Sequence, residues 1–307
     1  ALRSSGVTPD DILQISLDPG LNNWGRDYKS GAESLGASVI PNTLLSIEKQ
    51  LMVMQDYKPS ALVTTPSYAH QLATHLETKG LDPDNFSLKK LILVGEPADP
   101  AQRDLLESKL QVRTWQHFGL SEIPGPALAY ECDNRSCLHV NDDHFLPEII
   151  DPSTGTVLPT GKTGELVLTT LTTRAYPLIR FRTGDMARIL PEPCDCDCRL
   201  VRIEWRSERS DQLIRIRGVK VHQQQILSGI ETALGRAPQQ YCMFENHYRS
   251  KTYLEIWIAV DDAFFSDEIK MLENHMKAVR NQVQEDTGVP VIVRLKESAS
   301  IIACKLA

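Results

Sequence analysis

The sequence predicts an α/β fold with a parallel-sheet core subdomain, a small antiparallel β subdomain and, after them, a small α+β domain at the C-terminus. Three observations lead to this prediction. Apolar strands alternate with helical patterns between residues 61 and 120, short strands with turn signals fill residues 146–189, and a strand–helix pattern resumes at residue 212. Strand–helix alternation is typical of parallel sheets, whereas short strands joined by turns are typical of antiparallel ones. The 307 residues are enough for two domains.

The predicted elements of the parallel part follow one another closely. In chain order they are strands at 12–17 and 61–65, a helix at 68–79, a strand at 88–94 and a helix at 100–110. In parallel sheets, ligands bind beyond the carboxyl ends of the strands. We therefore expect the functional site in two loops, Gly95-Glu96-Pro97 and Gly119-Leu120-Ser121-Glu122.

The second half of the chain contains the antiparallel part and the small domain. A polar, charged stretch at 207–211 predicts a hinge between a large domain, 1–206, and a small domain, 212–307. The predicted elements of the small domain are, in chain order, a strand at 212–216, a helix at 223–234, strands at 241–244 and 253–260, a helix at 267–284 and a strand at 289–295.

Composition excludes several classes of protein. The formal charge is -7, from 33 basic and 40 acidic residues, whereas proteins that bind nucleic-acid backbones have a concentrated basic surface. The longest apolar runs fall far short of the roughly 20 residues that a membrane span requires. The N-terminus also lacks the pattern of a signal peptide. We expect a folded, cytoplasmic protein without nucleic-acid or membrane partners.

Cysteine usage indicates a metal site. Seven cysteines are an odd number, and five of them crowd into two short segments. This pattern fits a metal site in a reducing compartment better than a disulfide framework. Thiols and imidazoles are the ligands that tetrahedral Zn²⁺ favours. The candidate ligands are Cys132, Cys137, His139, Cys194, Cys196 and Cys198.

Several short motifs follow one another along the chain, and their order is more specific than any one of them. They are Gly95-Glu96-Pro97, His117-Phe118-Gly119-Leu120-Ser121-Glu122, Gly164-Glu165-Leu166, Phe181-Arg182-Thr183-Gly184-Asp185 and Arg209-Ser210-Asp211 with Arg217-Gly218. Together they resemble the adenylate-forming acyl-CoA ligase superfamily. Phenylacetate-CoA ligases are the most similar members, through Thr65-Pro66-Ser67-Tyr68-Ala69, Gly125-Pro126 and the segment 144–151.

The resemblance implies a two-step activity with ATP, Mg²⁺ and coenzyme A. The carboxylate of an aromatic acid, similar to phenylacetate, attacks the α-phosphorus of ATP to give an acyl-adenylate and pyrophosphate. The thiol of coenzyme A then displaces AMP. The small domain rotates between the two steps about a hinge that maps to Asp211. The implied partners are therefore a small carboxylic acid, ATP and coenzyme A, and a homodimer is left open.

The roles of individual residues are also implied by the resemblance. Phe118 would stack on adenine, Asp185 and Arg209 would bind the ribose, and Glu122 would hold Mg²⁺. The nucleotide-binding set is Gly95, Glu96, Pro97, Phe118, Gly119, Ser121, Asp185 and Arg209, and the acyl or coenzyme A region contains Tyr68, Ala69, Gly125 and Gly218. The catalytic residues are Glu122 and Lys305.

The chain departs from the family pattern in three places. The Ser/Thr/Gly-rich phosphate loop followed by Lys is missing, and 3–9 does not replace it, because Asp10 and Asp11 would put carboxylates where phosphate must sit. We therefore expect an N-terminally shortened member. Lys305 stands in altered surroundings near the C-terminus. The segment 18–25 differs from the Gly- and aromatic-rich acyl wall of relatives, so the acid itself is not predicted.

Some members of the resembled family have a structural zinc site, which maps to Cys132, His139, Cys194 and Cys196. Cys137 and Cys198 are additional thiols that could substitute. Two other functions stay open. One is adenylyl transfer to a different acceptor, such as a deazaflavin cofactor, and the other is binding of AMP, an acyl group or a partner protein without turnover.

Overall fold

The computed structural model describes residues 1–17, 22–40, 45–196, 198–211, 213–216, 219–248, 251–259, 269–297 and 301. The chain divides into two compact units, Ala1–Asp211 and 212–307. Residues 202–209 belong to a strand of the first unit, so this unit continues past residue 206, where we placed the end of the large domain. The hinge at 207–211 stays a prediction.

Among its described residues, the first unit contains eleven strands. They are β1 (Ile12–Ser16), β2 (Ser38–Ile40), β3 (Ala61–Thr64), β4 (Lys90–Leu93), β5 (Arg113–Phe118), β6 (Ala129–Glu131), β7 (Leu138–Val140), β8 (Phe145–Ile150), β9 (Thr163–Thr170), β10 (Phe181–Leu190) and β11 (Arg202–Arg209). They form one sheet in the order β2-β1-β3-β4-β5-β6-β7-β11-β10-β9-β8. Its helices are α1 (Asn22–Leu35), α2 (Ile47–Tyr57), α3 (Pro66–Lys79) and α4 (Pro100–Leu110).

The parallel half of this sheet is buried on both faces. Val63 and Ile92 pack with α1 on one face, whereas Leu62 and Leu91 pack with α2, α3 and α4 on the other. Alternate residues of a strand point to opposite faces, so strands covered on both sides are apolar throughout. This continuous apolar character is what predicted β3 and β4 from the sequence, and the α/β fold class is confirmed.

The two halves of the sheet meet within β5. Residues 113–116 pair in parallel with β4, and His117 and Phe118 pair in antiparallel with β6. The small antiparallel part that we predicted is therefore a continuation of the parallel sheet rather than a detached one. The carboxyl end of β5, where the second functional loop begins, lies at this change of direction.

Local sequence signals determine where α3 and α4 begin. Thr65 accepts a hydrogen bond from the backbone N of Tyr68, and Pro66 occupies the first position of α3. Asp99 and Gln102 form a capping box at the start of α4. Caps of this kind satisfy backbone N–H groups that have no partner within the helix. The observed bounds of α4 are those that the sequence predicted.

The second unit contains β12 (Leu213–Ile216), β13 (Val219–His222), α5 (Gln223–Leu234), β14 (Tyr241–Tyr248), β15 (Lys251–Ala259), α6 (Ile269–Thr287) and β16 (Val291–Lys296). β12 and β13 form a hairpin, and β14, β15 and β16 form a three-stranded sheet. Ile256 of β15 and Val283 of α6 lie in one apolar core with Ile226 of α5. Among the described residues, no helix is both long and apolar enough to cross a membrane.

Candidate functional site

The loop after β4 is held by a side chain of the neighbouring strand β5. The Nε2 of Gln116 donates to the carbonyl oxygens of Leu93 at 3.1 Å and Glu96 at 3.0 Å, and its Oε1 accepts from the backbone N of Ala98 at 3.1 Å. Gly95 has a φ of 87°, a conformation that glycine adopts without strain. The backbone of the predicted loop is thus fixed at the carboxyl edge of the sheet.

The carboxylate of Glu96 is directed at helix α3. It accepts hydrogen bonds from the backbone N of Ser67 at 3.0 Å and from the Ser67 hydroxyl at 2.9 Å. A carboxylate is favourable at a helix N-terminus, where backbone N–H groups lack partners. The side chain of Glu96 therefore stabilises the start of α3. Nucleotide contact by Gly95, Glu96 and Pro97 stays a prediction.

Tyr68 and Ala69 lie in the first turn of α3 and are buried. The Tyr68 hydroxyl donates to the carbonyl oxygen of Leu45 at 3.0 Å, and burial raises the pKa of Tyr68 to about 12. The phenol is therefore neutral and acts as a hydrogen-bond donor. Contact of these two residues with an acyl group stays a prediction.

Phe118, for which the sequence predicts stacking on adenine, is buried in the first unit. Its ring is only 1% exposed and packs against the Trp205 ring, with 4.5 Å between centroids. The ring therefore packs in the core of the first unit, and its stacking on adenine stays a prediction. At Gly119, an added Cβ would collide with the carbonyl oxygen of Pro126. Close packing of two backbone segments therefore requires this glycine.

Ser121 and Glu122 lie on an exposed turn after β5. A cavity of about 640 Å³ lies near the following residues. It is lined by Arg3, Asp27, Tyr28, Gly125, Asn141 and His144, among others. Gly125 contributes to the wall of this cavity, whereas Glu122 is not among its lining residues.

Asp185, Arg209 and Asp211 form one ion-pair group. The Nη1 of Arg209 donates to Asp185 Oδ1 at 2.7 Å, its Nε donates to Asp211 Oδ1 at 2.8 Å, and its Nη2 donates to Asp211 Oδ2 at 2.5 Å. Asp185 is fully buried, the Arg209 side chain is 5% exposed and that of Asp211 is 30% exposed. Arg209 therefore lies between a buried carboxylate and one nearer the surface. Binding of a ribose by Asp185 and Arg209 stays a prediction.

Glycine is also required beside this group. Gly184 has a φ of 72°, and an added Cβ would collide with the Asp211 carboxylate and the Arg209 guanidinium. The motif predicted from sequence as Thr-Gly-Asp thus depends on the close approach of a residue 27 positions later in the printed sequence. Lys305 and Gly218, also predicted for this site, lie outside the described residues.

The four predicted zinc ligands come together between β6, β7 and the β10–β11 connection. The ligand atoms of Cys132, His139, Cys194 and Cys196 all lie within 4.8 Å of one another. The two sulfurs of Cys132 and Cys194 are 3.8 Å apart, and Cys196 Sγ is 3.4 Å from His139 Nε2. A tetrahedral zinc site requires about 3.8 Å between two sulfurs and about 3.5 Å between sulfur and nitrogen. The donor set and these separations fit Zn²⁺.

The surroundings of the cluster agree with metal binding. Burial and the positive charge of Arg202 lower the pKa of His139, so the imidazole is neutral, as a ligand must be. Asn134 donates to Cys194 Sγ at 3.5 Å. Cys137 instead accepts a hydrogen bond from Arg202 Nε at 2.9 Å, and neither it nor Cys198 belongs to the group that the described residues form.

Sequence reasoning missed the polar interior of the first unit. His117 is fully buried, and its two ring nitrogens lie 2.8 Å from Ser5 Oγ and 2.8 Å from the Tyr28 hydroxyl. Burial lowers its pKa to about 3. Glu165, which the sequence marks only as a member of the Gly164-Glu165-Leu166 motif, is also buried. A charged residue inside an apolar strand pattern is the signal that points to Glu165, whereas the partners of His117 are too distant in sequence to be recognised.

Comparison with known proteins connects this site to a family. The AMP-binding enzyme profile matches residues 33–173. A phenylacetate-coenzyme A ligase of Thermus thermophilus is 34% identical over 96% of this chain and 69% of that protein. The corresponding enzyme of Aromatoleum evansii is 40% identical over 74% of this chain and 51% of that protein. A crystal structure of 2-hydroxyisobutyryl-CoA ligase covers 96% of this chain and 63% of its own, with a TM-score of 0.82 at 22% identity, which shows the fold.

The motifs lie on one continuous sheet, partly at the carboxyl ends of parallel strands and partly on the antiparallel strands β9 to β11, and the 34% identity to the Thermus thermophilus protein over 69% of its length places the chain in the adenylate-forming class. Within that class, the chain belongs to the phenylacetate-coenzyme A ligase family. It spans 69% and 51% of the length of the two relatives just described.

Proposed function

We propose that the protein activates an aromatic carboxylic acid, similar to phenylacetate, with ATP and transfers the acyl group to coenzyme A. The observation that carries this proposal is 34% identity to a phenylacetate-coenzyme A ligase over 96% of the chain. The ion-pair group of Asp185, Arg209 and Asp211 supports it, because these groups have the chemistry to bind ribose hydroxyls.

The proposed reaction has two steps. In the first, a carboxylate oxygen of the acid attacks the α-phosphorus of ATP, the bond to the β-phosphate oxygen breaks, and pyrophosphate leaves. In the second, the deprotonated thiol of coenzyme A attacks the acyl carbonyl carbon, and AMP leaves with the bonding electrons. Most of the catalytic effect in such reactions comes from positioning and from neutralising charge.

Residues at the carboxyl edge of the sheet have fitting roles. Glu122 offers a hard oxygen ligand on an exposed turn, and its neighbour Ser121 offers a hydroxyl for a phosphoryl oxygen. Bound Mg²⁺ would neutralise charge on the phosphates. Arg209 and Asp185 would hold the ribose. The cavity beside Gly125 would accommodate the acid, and its volume of about 640 Å³ falls in the range of small-molecule sites.

Binding of two adenosine ligands tests this function. The probes are AMP and phenylacetyl-sulfamoyl adenosine, a stable analogue of the proposed acyl-adenylate, measured by titration calorimetry on the whole chain. We expect the analogue to bind at least about tenfold more tightly than AMP, because it fills the nucleotide and acid sites together. Arg209→Gln should weaken both ligands by about tenfold, since one charged hydrogen-bond donor is lost.

The matched control is Arg188→Gln. Arg188 pairs with Glu204 in the same part of the sheet, but it belongs to no predicted site, so this variant should bind both ligands as the unmodified chain does. If neither AMP nor the analogue binds, the proposed function is wrong. If AMP binds and the phenylacetyl group adds no affinity, the nucleotide part of the proposal stands and the aromatic acid is wrong.

A structural zinc ion is part of the same proposal. Cys132, His139, Cys194 and Cys196 would hold it, and their donor types and separations support this assignment. Four protein ligands leave no position for a reacting water, which supports a structural rather than catalytic role. Cytoplasmic localisation, the absence of a nucleic-acid partner and association as a homodimer remain predictions from the sequence.

A further inference from the structure

Glu165 of β9 is a buried carboxylate outside the residues that the proposed mechanism uses. Its side chain is 2% exposed. Its oxygens accept hydrogen bonds from Nε of Arg182 at 3.1 Å and from the backbone N of Gly184 at 3.2 Å. Burial raises its pKa, but hydrogen bonds from Arg182 and Ser210 outweigh that effect and hold the pKa below its usual value. Glu165 is therefore ionised. Its hydrogen bonds connect β9 to Arg182 and Gly184 of β10 and to Ser210, which follows β11.

The contact with Gly184 lies at an irregularity in the sheet. Arg182 of β10 pairs with Val167 of β9, and Met186 pairs with Glu165, so four steps along β10 correspond to two along β9. Extra residues on one strand bend it and turn side chains in new directions. Residues 183–185 form this bulge, and the Glu165 carboxylate lies against its backbone.

The other side of the bulge contacts the end of β11. The carbonyl oxygen of Gly184 accepts a hydrogen bond from the backbone N of Ser210 at 2.9 Å, and Asp185 pairs with Arg209 in the sheet register. The bulge is thus held by Glu165 on one side and by the segment with Arg209 on the other. The direction of the Asp185 carboxylate depends on this arrangement, because Asp185 directly follows the residue that Glu165 holds.

We propose that Glu165 is a positioning residue for ribose recognition: it fixes the 183–185 bulge through the amide of Gly184 and thereby sets Asp185 and Arg209 for the ribose hydroxyls. This inference rests on the proposed function, since ribose binding by Asp185 and Arg209 belongs to it. Arg182 neutralises the buried charge that this arrangement requires.

The test compares two nucleotides that differ only in the ribose hydroxyls. AMP and 2′,3′-dideoxy-AMP are titrated into the unmodified chain and into Glu165→Gln, and the melting temperature of each protein is recorded. We expect the unmodified chain to prefer AMP by about tenfold, a typical effect of hydrogen bonds to charged groups. In Glu165→Gln this preference should fall to about twofold, with little change in affinity for the dideoxy nucleotide.

Glu148→Gln is the matched control. Glu148 lies on the adjacent strand β8 and pairs with Arg180, so the variant removes the same kind of ion pair away from the bulge and should keep the preference. If Glu165→Gln fails to fold, Arg182→Gln removes the partner of Glu165 from a half-exposed position and should also reduce the preference.

The outcomes separate the two proposals. A lower melting temperature with an unchanged preference for AMP shows that Glu165 is only structural, and it overturns this inference while the proposed function stands. An unmodified chain that binds both nucleotides equally overturns ribose recognition at this site and the inference with it. Loss of the preference in Glu165→Gln, with the preference kept in Glu148→Gln, supports the positioning role.

Discussion

His117 is neutral in the folded chain, although histidine is the side chain whose charge most readily changes near physiological pH. It is fully buried between Ser5 and Tyr28, and its pKa falls to about 3 because burial disfavours the charged form. Residue type alone therefore gives a misleading expectation at this position. Phe118, the next residue along the strand, is also buried and packs against the Trp205 ring.

The His117 imidazole should make stability depend on pH. In the unfolded chain its pKa is near 6.5, so between about pH 6.5 and 3 the unfolded state binds a proton that the folded state excludes. Stability therefore decreases as the pH falls through this range, by up to about 1.4 kcal/mol per pH unit from this residue. His117→Gln should reduce the slope of unfolding free energy between pH 6 and 4, measured by urea denaturation. An equal slope in both proteins would contradict neutral burial.

The candidate zinc ligands come together through the short strands β6 and β7, and the pairing of these two strands was not predictable from sequence. The backbone N of Arg135 donates to the carbonyl oxygen of Cys132 at 3.0 Å, which closes a tight turn between β6 and β7. Arg135 also pairs with Glu107 of α4. By contrast, the sequence shows the crowding of cysteines directly, because the ligands within each segment are only a few residues apart. The pairing of strands depends on residues that are far apart in sequence.

Zinc removal should destabilise the first unit without directly removing the nucleotide site. We expect one zinc per chain by elemental analysis, and a melting temperature lower by about 5 °C or more after chelation, since the ion cross-links two segments. Cys132→Ser should lose the metal, whereas Cys137→Ser should keep it, because Cys137 bonds to Arg202 outside the cluster. Metal retained in Cys132→Ser would show that another thiol is the ligand. A folded chain without zinc whose cysteines all react with thiol reagents would contradict the site.

At the scale of the whole molecule, the fold class followed from sequence because its signals are local. Strand–helix alternation and helix caps act within a few residues, and they located α3, α4 and α5 closely. The continuous sheet did not follow from such signals. β6 and β7 have three residues each, and β11 lies between β7 and β10 although other strands separate it from β7 along the chain. Pairing of this kind depends on long-range packing rather than on any local pattern.

Asp211 ends the first compact unit, and its contact with Arg209 bears on both the proposed nucleotide binding and the predicted hinge. The Arg209 donors are engaged by Asp185, Asp211 and the carbonyl oxygen of Thr183. These contacts use four of the five Arg209 N–H groups, and a ribose hydroxyl that takes over one of the four displaces its present partner. The Asp211 side chain is 30% exposed and that of Asp185 is fully buried, so we expect the hydrogen bonds of Asp211 to be the ones that a ribose replaces.

Asp211→Asn should therefore raise the affinity for AMP. Removing the charge weakens a partly exposed ion pair that competes with the ribose, and such pairs contribute about 0.5–1 kcal/mol, which corresponds to about two- to fivefold in the dissociation constant. Glu208→Gln is the control, because it removes an equal charge from an exposed position three residues earlier and should leave the AMP affinity unchanged. Calorimetric titration of both variants with AMP measures the effect. Weaker binding in Asp211→Asn would show instead that Asp211 holds Arg209 in the orientation that the nucleotide needs.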